Sequence, residues 1–158
     1  MSVKVIGVGN AFRRDDGAGI AAVNLLRERA SASFDIAVSS AEPSELMTAW
    51  EGADVVILLD AAAAGSAPGK ITRTVIGKTP LPPDASGAST HDLGVAAAIA
   101  LAEALDERPE TVIVYTIEGA DFGFGEDLSK EVVAALPMLI DQVAQETAKL
   151  SVEELRHA

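Results

Sequence analysis

Three side chains stand where an α/β chain can do chemistry: Asp16, Asp60 and His91. Asp16 falls in Gly7-Val8-Gly9-Asn10-Ala11-Phe12-Arg13-Arg14-Asp15-Asp16-Gly17-Ala18-Gly19, where four glycines and two adjacent acids lie between a short apolar run and a helical pattern. Asp60 closes the apolar run Val55-Val56-Ile57-Leu58-Leu59. His91 opens a helical stretch after a long loop rich in proline and glycine. Two carboxylates and one imidazole at strand ends can hold a divalent metal, or divide the work of acid and base. Each residue also has a plain structural role open to it. Asp15 or Asp16 can cap a helix, with Asp15 the expected cap. Asp60 can satisfy backbone donors in a turn. His91 can face solvent in a first helical turn. The other histidine, His157, lies in the last residues, so His91 is the sole imidazole candidate. Their meeting at one sheet edge is a stronger signal than any of them alone. Glu118 is expected to cap the loop that follows it, Arg13 and Arg14 to be solvated, and Phe122 and Phe124 to anchor their loop in the core.

The elements that must position these residues follow from hydropathy and turn chemistry. Val3 to Val8 reads as a buried strand, followed by a helix with Ile20, Val23, Leu26 and Ala30 on one face. Phe34 to Val38 alternates as a second strand, and Pro43 suits the first turn of a short helix ending near Gly52. Asp54 to Asp60 is the strongest strand, with five consecutive apolar residues as in a central parallel strand. Lys70 to Ile76 alternates as an edge strand, and Gly77 to Ala88 reads as a loop. Ser89 with Asp92 resembles a capping box before a helix to about Leu105, with Leu93, Ala97, Leu101 and Leu105 spaced by four. Thr111 to Ile117 is a further buried strand. The last helix, from Ser129, carries Val132, Val133, Leu136, Leu139, Ile140 and Val143, and Pro137 inside it is expected to kink or shorten a turn. Strands alternate with helices, with one hairpin-like insertion at 70–76. The pattern predicts an α/β three-layer sandwich, a mostly parallel sheet with helices on both faces, in one domain over residues 1–150. Residues 151–158 are expected to fray as a tail.

Composition narrows the function classes. Apolar residues make up 49% of 158, enough for one core, and much of this is alanine, which favours close helix packing. No apolar run approaches the ~20 residues that span a bilayer. The opening residues read as strand rather than as a signal core, so a soluble, cytoplasmic protein is expected. The absence of cysteine removes disulfides, thiolate metal sites and thiol nucleophiles. A net charge of −12 with no concentrated basic patch argues against nucleic acid and anionic membranes as partners. Gly7-Val8-Gly9 after a strand invites a dinucleotide fingerprint, but Phe12 stands at the third glycine position and Asp15-Asp16 repel a pyrophosphate.

The stretch Gly7-x-Gly9-Asn10-x4-Asp15-Asp16-Gly17-x-Gly19 resembles the opening motif of the hydrogenase maturation proteases. These endopeptidases remove a C-terminal extension from the large subunit of nickel–iron hydrogenases. Three further motifs follow in family order: Leu58-Leu59-Asp60-Ala61 with Gly65 and Pro68-Gly69; Ser89-Thr90-His91-Asp92-Leu93-Gly94; and Thr116-Ile117-Glu118-Gly119 with Gly125 and Leu128-Ser129. Together they span about Val3 to Leu139. The resemblance implies a five-stranded sheet between helices. It also implies a metal-reading trio that falls on Asp16, Asp60 and His91. The family takes Glu or Asp at the first position, and here it is the shorter Asp. Gly119 stands where the family often has Pro after the Glu.

What the resemblance implies about activity is an aspartic-type, metal-recognising peptidase. Its partner would be a hydrogenase large-subunit precursor. Nickel would be supplied by that substrate, and no permanently bound cofactor is expected. Asp16, Asp60 and His91 would dock on the nickel and orient the scissile peptide, with one carboxylate serving as base toward water. Two rival functions fit the same residues: a non-cleaving escort or chaperone that binds the metal centre, and a metal-dependent peptidase with another protein substrate.

Overall fold

A computed structural model describes residues 2–29, 34–77 and 92–157. Five strands, β1 (Val3–Val8), β2 (Asp35–Ser39), β3 (Val55–Ala62), β4 (Ile71–Ile76) and β5 (Thr111–Glu118), form one sheet in the order β2-β1-β3-β5-β4. Four helices, α1 (Ala18–Arg29), α2 (Pro43–Trp50), α3 (Asp92–Ala104) and α4 (Lys130–His157), cover it. The pairings β1–β2, β1–β3 and β3–β5 are parallel and β4–β5 is antiparallel. The expected mostly parallel sheet between helix layers is therefore present. The stretch at 70–76 is an edge strand as expected. It is not a hairpin with β3, however: it crosses beyond β5 and pairs there, Ile71 with Ile117 through Ile76 with Val112.

Period-two burial divides the core into two layers. Val55, Ile57, Leu59 and Ala61 of β3 pack with Val23 and Leu26 of α1 and with Leu136, Leu139 and Val143 of α4. Val56 and Leu58 face the other way, onto Leu46 and Trp50 of α2 and Val95, Ala98 and Ile99 of α3. All eight residues of β3 are buried, as its unbroken apolar run requires. On α4 the buried stripe is Val132, Leu136, Leu139, Ile140 and Val143, while Val133, about 75° from the centre of that stripe, is exposed.

The face of α3 differs from the one that leucine spacing predicts. Leu101 and Leu105 are exposed, and the buried face is Val95, Ala98, Ile99 and Ala102. The two alanines let the helix backbone approach the sheet more closely than leucine would. Helix α4 runs unbroken past Pro137 and on to His157, over positions where a frayed tail was expected. Extending an existing helix is far easier than nucleating one, and the Ser151 hydroxyl donates to the Thr147 carbonyl at 3.1 Å within that last stretch. Ala30, the loop at 78–88 and the Ser89–His91 part of the capping box lie outside the described residues.

One polar cluster ties α4 to the edge of the sheet. The Tyr115 hydroxyl on β5 donates to Glu146 Oε1 at 2.8 Å, and Arg73 Nε on β4 donates to the same oxygen at 2.7 Å. Burial pushes the Glu146 carboxyl up, but the hydrogen bonds from Arg73 and Tyr115 outweigh it and hold the group below its ordinary 4.5. Burial pushes the Tyr115 hydroxyl up to about 12. Because the Glu146 value is depressed by folding, its stabilisation is complete above the unfolded value and disappears as pH falls through the folded one. Glu146→Gln is expected to lower the unfolding free energy at pH 7 by about 1–3 kcal/mol. The gap from the parent should narrow below pH 4, as read in urea titrations across pH; a gap constant with pH would exclude this role.

Candidate functional site

The carboxyl edge of β1 and β3 is shaped by glycine. At Gly9 the backbone turns with φ +144°, and an added Cβ would sit 2.0 Å from the Asp16 carbonyl oxygen, so a side chain there would force the loop apart. At Gly19, near the start of α1, an added Cβ would sit 2.0 Å from the Leu59 carbonyl oxygen. The helix therefore rests directly on β3, one residue before Asp60. Between them Arg14–Gly17 forms a 3₁₀ turn, which the sequence pattern does not reveal, packed against β3.

Within this loop Asp16 is half-buried. Its Oδ2 accepts from the Asn10 backbone N–H at 3.0 Å, and Asn10 Oδ1 in turn accepts from the Phe12 N–H at 2.9 Å. Asp60 is 2% exposed, and its Oδ1 accepts from the Ala61 N–H at 2.8 Å. It does not end its strand. β3 continues to Ala62 because β5 runs alongside it, pairing Asp60 with Thr116 and Ala62 with Glu118. By strand alternation Asp60 shares the α2/α3 side of the sheet with Val56 and Leu58.

Helix α3 approaches the same region. Leu101 near its end and Leu105 just after it line a cleft with Glu51 and Ala53, at the opposite edge where the parallel strands begin. Its start at Asp92 therefore points back toward the carboxyl edge. His91, the residue before it, lies outside the described residues. Asp16 and Asp60 are thus brought to one edge from distant sequence, and the third member is not placed. Among the described residues, no group of three His, Cys, Asp or Glu side chains converges to hold a metal ion.

Two buried carboxylates hold this edge together, and sequence reasoning gave both of them the wrong partners. Asp15 is fully buried and does not cap α1. Its Oδ2 accepts from the N–H groups of Ala120 (2.7 Å) and Asp121 (3.0 Å), and its Oδ1 from that of Ser129 (2.7 Å). Burial pushes its carboxyl up, but these three backbone donors outweigh it and leave the group below its ordinary value. Glu118, 3% exposed, caps a loop as expected, but the one after β3: it accepts from the Ala64 N–H at 3.0 Å and the Ser66 N–H at 2.7 Å.

The loop after β5 is zipped to the first one. The Arg14 N–H donates to the Gly125 carbonyl at 2.8 Å and the Gly125 N–H to the Phe12 carbonyl at 2.9 Å. The arginines are not simply solvated. Arg14 Nε pairs with Asp121 at 3.0 Å, and Arg13 Nη2 donates to the Phe122 carbonyl at 3.3 Å. Phe122 packs inward as an anchor, whereas Phe124 is 92% exposed and anchors nothing.

Comparison with known proteins agrees with this fold. A family model described as hydrogenase maturation protease matches residues 23–146. The hydrogenase expression/formation protein HupD of Thiocapsa roseopersicina is 27% identical over 150 residues, covering 90% of this chain and 68% of that protein. The hydrogenase maturating endopeptidase HybD from E. coli is structurally similar with a TM-score of 0.80 at 22% identity, over 94% of this chain and 93% of that one. A [NiFe] hydrogenase maturation protease HybD from Thermococcus kodakarensis gives 0.75 at 24% identity, over 94% and 99%. At these identities the two structures attest the fold. No helix among the described residues is long and apolar enough to cross a membrane.

Removing the Asp15 carboxylate leaves the backbone N–H groups of Ala120, Asp121 and Ser129 without the buried acceptor they share. Asp15→Ala is expected to lower the unfolding free energy by about 2–4 kcal/mol. It should also speed amide exchange at Ala120, Asp121 and Ser129. Exchange at those amides unchanged from the parent protein would refute the clamp.

Proposed function

This chain belongs to the hydrogenase maturation protease family, and from that premise we propose that it is a cytoplasmic endopeptidase of aspartic type. It removes the C-terminal extension of a nickel–iron hydrogenase large-subunit precursor after nickel has been inserted. The observation that carries this reading is the arrival of Asp16 and Asp60 at one carboxyl edge, the place where open α/β sheets bind ligands. Asp16, Asp60 and His91 contact the substrate's own nickel. Two acids and one neutral imidazole are an incomplete shell, which leaves positions for the ligands the substrate already provides. Docking on the metal orients the scissile peptide, and one carboxylate takes a proton from the attacking water. Binding that requires the metal makes cleavage a check on completed assembly. The protein itself keeps no resident cofactor.

The test is C-terminal mass loss of a purified, nickel-loaded precursor. The Asp16→Asn, Asp60→Asn double variant should process it roughly 10²–10⁴-fold more slowly, and the parent protein should leave nickel-free precursor intact. Unchanged processing by the double variant would remove these residues from the mechanism. A persistent complex without mass loss would make the protein an escort, and cleavage of nickel-free substrate with added divalent metal would make it a metal-dependent peptidase of broader use.

A further inference from the structure

We propose that Phe12 and Phe124 form an aromatic docking step for the precursor. They would seat an apolar residue of the substrate segment that runs toward Asp16, while basic residues of that segment lie against the acidic rim. The inference rests on the reading of the protein as a hydrogenase-precursor peptidase and names the surface that reading leaves open.

Phe12 is 66% exposed and Phe124 92% exposed, each on a loop whose backbone is fixed. The bonds between Phe12, Arg14 and Gly125 hold the two loops together as a short parallel bridge at Arg13 and Gly125. Beneath the bridge the Asp15 carboxylate grips the second loop. The fold has already used the other aromatic: Phe122 turns inward against Gly119, where an added Cβ would lie 2.5 Å from its ring. Phe12 and Phe124 thus contribute backbone to the fold and leave their rings to solvent. Fixed, exposed aromatic rings are the anchors that interfaces use, since little rotamer freedom is lost on burying them.

Position and charge specify the occupant. Phe12 is linked through Asn10 to Asp16 by two hydrogen bonds, so a chain seated on it is registered against the candidate catalytic acid. The two loops carry Asp15, Asp16, Asp121, Glu126 and Asp127 against Arg13 and Arg14. Both arginines are turned onto the second loop, one to Asp121 and one to the Phe122 carbonyl, while Glu126 and Asp127 face solvent. An apolar residue flanked by basic ones complements such a surface.

The experiment measures binding and processing of the nickel-loaded precursor by the full chain, by Phe12→Ser/Phe124→Ser and by Glu126→Lys/Asp127→Lys. Leu105→Ser, an exposed apolar position just after α3 beside the opposite edge of the sheet, is the control. The aromatic double variant should keep its thermal midpoint and kcat but raise Kd and KM by roughly tenfold or more. The charge-reversed variant should bind more weakly and lose salt dependence, and the control should match the parent. Kd and KM within about twofold of the parent in the aromatic variant would overturn the docking surface and leave the peptidase reading intact. If the parent binds without cleaving, the peptidase reading falls and Kd alone decides the surface. A parent that neither binds nor cleaves overturns both. A parent that self-associates through these rings, with precursor affinity unchanged in the variant, also overturns the proposal.

Discussion

The Asp15 carboxylate holds the candidate site together. It is a charge with no access to solvent, stabilised by three backbone donors from a loop more than a hundred residues away in sequence. A buried carboxylate of this kind is tolerable only when its hydrogen bonds are made, so the loop after β5 and the loop after β1 cannot move independently. Everything that bears on function at this edge depends on that coupling. It fixes the 3₁₀ turn that presents Asp16, the bridge that carries Phe12 and Phe124, and the approach of Ser129, whose hydroxyl accepts from the Val132 N–H at the start of α4.

Around this coupling the edge is built by close backbone approach rather than by large side chains. Gly9 and Gly19 each occupy a place where a Cβ would strike a carbonyl oxygen. Ala98 and Ala102 do related work on the opposite layer, letting α3 lie close to the sheet. The alanine-rich composition and the four glycines of the first loop are two expressions of one design. Elements pack with little between them, and acids on different strands end at one edge. Glu118 completes the arrangement by binding the loop after β3, so both loops that flank Asp60 are tied down by buried carboxylates.

Much of the fold was legible in the sequence. β1 carries the bounds that its apolar run predicts, and β3 and β5 each run only one or two residues beyond theirs, because a strand buried on both faces must be continuously apolar. The start of α2 at Pro43 followed from proline's fixed φ and missing donor. What was not legible depended on partners far along the chain. The spacing of α3 offered two apolar faces, and only the sheet beneath it chose the one with the smaller residues. β4 announced itself as an edge strand, but not the neighbour it would pair with. Phe122 and Phe124 are chemically identical, and the bridge to Gly125 sorted one inward and the other outward.

The sequence by itself determined the layered α/β plan and the acids that reach its carboxyl edge, because hydropathy period, glycine and proline act locally. It did not decide what each acid does. Asp15 and Asp16 are the same residue in adjacent positions, with the same charge and the same local propensity. Tertiary structure separated them: the loop after β5 surrounds one with backbone donors and buries it, while the Asn10 amide holds the other half-exposed at the edge beside β3. That division depends on hydrogen bonds across more than a hundred residues, and no local pattern encodes it.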